Sequence, residues 1–107
     1  MPTTFLFHAT ACADTGNERF RPGERHEALM FVVGDDVDAA RDRAVAEMLL
    51  AHWRDIEVRS SSIAREDHVE APDPGIRAAR QSARDHGIGI VFWTPPLDAG
   101  ALPNEEL

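Results

Sequence analysis

The chain contains no lysine, no tyrosine and only one cysteine. Each absence removes a class of chemistry. Without lysine there is no Schiff base, no lysine general base and no phosphate-loop lysine. Without tyrosine there is no phenolic acid. Acid–base work would fall to the histidines, the carboxylates or Cys12. A lone thiol makes no internal disulfide and suits a reducing compartment. No apolar run approaches the roughly 20 residues that span a bilayer. The opening MPTTFLFHATACADTG has no basic leader and reads as a first strand rather than a signal peptide. The expected location is the cytoplasm. All eleven basic residues are arginine, which points to a GC-rich bacterial genome.

Motifs for bound groups are also missing. Neither CxxC nor HExxH occurs, so no metal is expected. Gly87-Ile88-Gly89 leads into an apolar, strand-like run, whereas phosphate cradles precede helices. No cofactor is expected. The net charge of −8 and pI near 4.9 disfavour nucleic acid and anionic membranes as partners. At 107 residues one domain is expected, over 1–94, with a C-terminal tail over 95–107.

What is present alternates strand and helix patterns. TTFLFHATA, residues 3–11, has the period of two that marks a strand. EALMFVV, residues 27–33, is a continuous apolar run suited to a strand covered on both faces. Val37, Ala40, Ala44, Met48 and Ala51 recur at helical spacing, so a helix is expected from Val37 to about Trp53. An aspartate before it supplies the cap. DIEVRSSSIA, residues 55–64, reads as a third strand, and REDHVEAPD as a loop. Asp73 caps a second helix with Pro74 at its first position and Gly87 at its end. Its inner stripe is Ile76, Ala79 and Ala83. IGIVFWT, residues 88–94, is the fourth strand.

The expected fold is α/β (α+β) in the order β-β-α-β-α-β. Two strand–helix–strand units imply parallel pairs, and the first two strands an antiparallel hairpin. This gives a mixed sheet of about four strands with helices mainly on one face, a two-layer sandwich. The pattern resembles ferredoxin-like plaits, an analogy of fold that says little about function.

The stretch HATACADTGNERFRPGERHEA concentrates the candidate chemistry. Pairing Phe7 with Phe31 and Ala9 with Leu29 sets Cys12 opposite His26, and Asp14 could orient that histidine. This is a candidate thiolate–imidazole catalytic site. Arg19, Arg21 and Arg25 offer guanidinium forks for an anionic ligand. The connection is far longer than an ordinary hairpin turn, which makes residues 12–26 the place to look for a site. His52 and His86 fall near helix ends, where a structural role suffices. His68 lies in a solvated acidic stretch.

Both faces of the second and fourth strands are apolar. With helices on one face, the other would be exposed, and large apolar patches mark interaction surfaces. Leu6, Met30, Val32, Val91 and Trp93 are therefore the expected interface. Protein–protein contact is the favoured function, through a homodimer or another protein, with an inhibitor of a basic target as one form. The alternative is a small enzyme or anion-binding domain built on Cys12, His26 and the loop arginines.

Overall fold

The computed structural model describes residues 3–64, 73–94 and 97. The elements are β1 (Thr3–Ala13), β2 (Arg25–Gly34), α1 (Val37–Leu50), β3 (Trp53–Ile63), α2 (Pro74–His86) and β4 (Ile88–Phe92). The order is the expected β-β-α-β-α-β, and the class is α+β. Both helix starts follow the sequence signals. Asp36 accepts from the Ala39 N–H at 2.8 Å, and Asp73 accepts from Gly75 and Ile76 at 2.7 and 3.3 Å. Gly87 closes α2 in the left-handed conformation, at φ 88°. The expected loop over residues 65–72, with His68, and the tail apart from Leu97 lie outside the described residues.

The four strands form one sheet in the order β3-β1-β2-β4. Every pairing is antiparallel, which corrects the expected mixed sheet. The reason is where the crossovers land. From β2, α1 carries the chain past β1 to its far side, so β2 and β3 run parallel without touching. From there α2 carries it across the whole sheet to β4, at the opposite edge. The ferredoxin-like plait has the order β-α-β-β-α-β, so the likeness extends to a four-stranded antiparallel sheet with two helices and no further.

The two helices also take opposite faces, which corrects the two-layer expectation. Ala40, Ala44 and Met48 of α1 pack on Phe7, Ala9, Ala28, Met30 and Val32. Ala79 and Ala83 of α2, the expected stripe, pack on Phe31, with Leu6, Leu29 and Val91 beside them. The approach of α2 is close because position 89 is glycine. A Cβ there would overlap the Ala79 carbonyl oxygen. Arg80, unanticipated as a buried residue, lies with its guanidinium 6.0 Å from the Phe31 ring centre.

The hairpin register is one residue away from the expected one. Phe7 faces Met30, His8 faces Leu29, and Ala9 faces Ala28. Apolar residues occupy both faces of β1 and β2, so burial alone separates these registers weakly. The loop closure decides it. Ala13 donates to the Glu24 carbonyl at 2.8 Å, and Gly23 donates to the Ala13 carbonyl at 2.8 Å.

The expected interface set is split by this register. Met30 and Val32 are fully buried on the α1 face. Leu6 and Val91 lie on the other face, packed into the α2 cluster. Trp93 follows β4, half-buried, with its N–H bonded to the Glu27 carbonyl at 3.0 Å. The α2 face above β1 and β3 is largely polar, with His8 bonded to Glu27 at 2.8 Å and Ser60 and Ser62 exposed. None of the described helices is long and apolar enough to cross a membrane.

Candidate binding surface at the loop end

The β1–β2 connection, Asp14–Glu24, is pinned rather than loose. The Asn17 side chain accepts from the N–H groups of Arg19 and Phe20, both at 3.0 Å. The same side chain donates to the carbonyls of His52 and Ala51 at 3.3 and 3.5 Å. Asp14 N–H adds a bond to the His52 carbonyl at 2.9 Å. These bonds satisfy the Ala51 and His52 carbonyls just beyond α1, while the helix's own last carbonyls are met by the Ala51 and His52 N–H groups. His52 turns left-handed at φ 65°, which stops the helix at Leu50 instead of near Trp53. Trp53 is thereby freed to enter β3 and the core. A Cβ on Gly16 would sit 3.0 Å from the His52 ring, so the loop lies directly against it.

Beneath the loop is an aromatic cluster. Trp53 and Phe92 stack at 4.6 Å and 10°. Phe20 sits 5.5 Å from Trp53 and 4.0 Å from the His26 ring. His26 is fully buried, and both its nitrogens have partners. Nδ1 lies 2.8 Å from the Trp93 carbonyl and Nε2 3.2 Å from Glu24 Oε1. Burying this polar ring is tolerable because both nitrogens are partnered. It ties β2 to the end of β4 and to the loop.

Two depressions adjoin this cluster. The larger, about 410 Å³, lies between loop residues 16–19 and the end of α1, over Trp53 and Phe92. Leu50 lines it and is 77% exposed, and neighbouring Leu49 is 56% exposed. The smaller, about 270 Å³, lies between α2 and β4, against Gly75, Ala78, Ala79, Ser82 and Ile90–Phe92. Arg19 and Phe92 line both, so the two form a continuous surface.

The proposed catalytic residues are not brought together. Cys12 pairs with Arg25, and His26 pairs with Ala11. Adjacent positions on a strand point to opposite faces. Cys12 therefore lies on the α2 face and His26 on the α1 face, with the sheet between them. Asp14 instead meets Arg54 at 3.5 Å and caps its own turn through the Thr15 N–H. Of the three loop arginines only Arg19 reaches the depressions. Arg25 donates to Thr10 Oγ1 at 2.8 Å and to the Asp55 carbonyl at 3.1 Å. Arg21 is exposed. Arg19 lies over the Phe20 ring at 5.1 Å and forms no ion pair with a described carboxylate. No cluster of three or more metal-ligating side chains occurs among the described residues.

The sequence reading singled out the loop and Arg19 but missed Trp53, Phe92 and Leu50. Their only signal was bulk and apolarity, which core residues share. No known protein family, curated protein or solved structure matches the chain.

Proposed function

We propose that this is a non-catalytic protein that acts by contact with another polypeptide, and that the loop end is its contact surface. One observation carries the reading: two large apolar side chains, Leu49 and Leu50, stand exposed beside an aromatic-floored depression. Single exposed apolar residues are ordinary, but a contiguous patch with a preformed pocket is where anchor side chains dock. Charge supports the same location. The loop, residues 14–24, holds Asp14, Glu18 and Glu24 against Arg19 and Arg21, close to balance, while the whole chain carries −8. The loop is thus less opposed to approach by another acidic chain than the charge of the whole would suggest, while the acidic remainder speeds encounter with a basic one. A cytoplasmic setting in a bacterium fits the lone thiol and the arginine-only basic set.

The experiment places a photo-crosslinking residue at position 50 and, as a control, at exposed position 41 on the same helix. Irradiation in the native cells is expected to give a discrete adduct from position 50 and none from position 41. Equal labelling from both positions, or none from position 50, contradicts the reading. The mass of the adduct separates a second copy of the chain from a different protein.

A further inference from the structure

The hydrogen-bond pattern of β4 identifies a backbone ladder whose outer side no described strand pairs. Trp93 N–H bonds to the Glu27 carbonyl, and Val33 N–H bonds to the Gly87 carbonyl. In an antiparallel pair, alternate residues exchange both bonds with their partner. Gly87, Gly89, Val91 and Trp93 therefore face β2. Ile88, Ile90 and Phe92 point their N–H and carbonyl groups outward, along the open edge. The Ile88 carbonyl accepts from the Ser82 hydroxyl at 2.8 Å. Ile90 and Phe92 have no outward hydrogen-bond partner among the described residues. Beside them runs the smaller depression, its α2 wall built from Gly75, Ala78, Ala79 and Ser82. At its Phe92 end stands Arg19.

From this arrangement we propose that β4 accepts an extended peptide segment of a partner protein as a fifth antiparallel strand. The inference rests on the contact reading above and names the partner's form. Outward N–H and carbonyl groups at alternate residues match another extended backbone better than any compact ligand. The small residues of α2 leave room for one modest apolar side chain of the peptide. Arg19, without an ion pair among the described residues, calls for a carboxylate side chain on the peptide beside Phe92. The segment is thus an apolar β-former carrying one Asp or Glu.

The test titrates the full chain, labelled for NMR, with an acetylated and amidated hexapeptide of alternating valine and threonine that contains one glutamate. The largest shifts are expected at Ile88–Trp93, Ala78 and Arg19, with exchange of the Ile90 and Phe92 amides slowed. The peptide with glutamine in place of glutamate should bind roughly tenfold more weakly. Arg19→Gln should abolish that difference. Ala78→Phe, at an exposed position, should block both peptides while leaving the fold intact. Absence of binding at millimolar peptide, or shifts centred elsewhere, overturns the proposal. So does a tenfold gain in affinity on deleting residues 98–107, which would assign the edge to the chain's own end. Edge-amide protection that appears in the free chain on raising its concentration would assign the edge to a second copy, and would also overturn it. A negative titration together with a discrete adduct from position 50 removes the peptide proposal and leaves the contact reading standing.

Discussion

At one edge of the sheet β3 runs for eleven residues, and at the other β4 runs for five. The long edge carries Arg54, Asp55, Glu57 and Arg59, with Arg59 and Glu57 paired at 3.6 Å along the strand. Its register against β1 shifts twice, between His8 and Ala9 and again between Thr10 and Cys12. Asp55 adopts φ 50° within the second irregularity. Charge and bulges are the devices that keep an edge from recruiting another strand. The short edge, Ile88–Phe92, has no charge and an unbroken register against β2. Among the described residues its protection is its length and the Ser82 hydroxyl on the Ile88 carbonyl. The difference indicates that pairing is resisted at one edge and permitted at the other, where a groove and a guanidinium adjoin it.

The largest expected effect tests how α2 is held beside the permissive edge. Gly89→Val puts side-chain atoms into the Ala79 backbone and should cost at least about 3 kcal/mol, or prevent folding. Ser62→Ala on β3 is the matched control and should stay within about 0.5 kcal/mol, as exposed substitutions do. Urea midpoints give both values. Equal effects would mean that α2 does not depend on the close approach at Gly89.

His26→Ala comes next. It removes a buried ring, its contact with Phe20, and its bonds to Trp93 and Glu24. A loss of about 2–4 kcal/mol is expected, with the β4 end loosened more than the β3 edge. Hydrogen exchange read by residue separates the two edges. Asn17→Ala should cost about 1–2 kcal/mol by releasing the loop from the end of α1. Its larger signature is faster exchange of the Arg19 and Phe20 amides, and weaker crosslinking from position 50. Apart from the Ser62→Ala control, the smallest effect on stability is expected from replacing the guards of β3. Glu57→Val with Arg59→Val should alter stability by under about 1 kcal/mol. The variant should nevertheless self-associate in light scattering as concentration rises. If it behaves as the parent chain does, the bulges alone guard that edge.

Local signals in the sequence carry the elements and lose the arrangement. The caps Asp36 and Asp73, the closing Gly87 and the stripe Ile76–Ala79–Ala83 depend on neighbours within a turn or two, and each is legible. The hairpin register is not, because β1 and β2 bear apolar groups on both faces, and slipping by one residue keeps most of them buried. That slip alone separates Cys12 from His26. Which face each helix covers is equally hidden, since it depends on how the chain leaves a strand. The length of the β1–β2 connection marks the loop as special. The depression under it joins Arg19, Leu50, Trp53 and Phe92 from four parts of the chain, and no spacing rule relates those positions. Arg19 and Arg25 look alike in sequence, yet Arg25 is consumed by Thr10 and the Asp55 carbonyl while Arg19 faces the depressions.

The openness of the β4 edge is tested most directly by amide hydrogen exchange in the dilute, unliganded chain. Gly89 and Val91 should be protected by their bonds to β2, while Ile90 and Phe92 exchange far faster, an alternation along one short strand. Equal protection of all four amides would show the outer ladder already filled and would contradict the account.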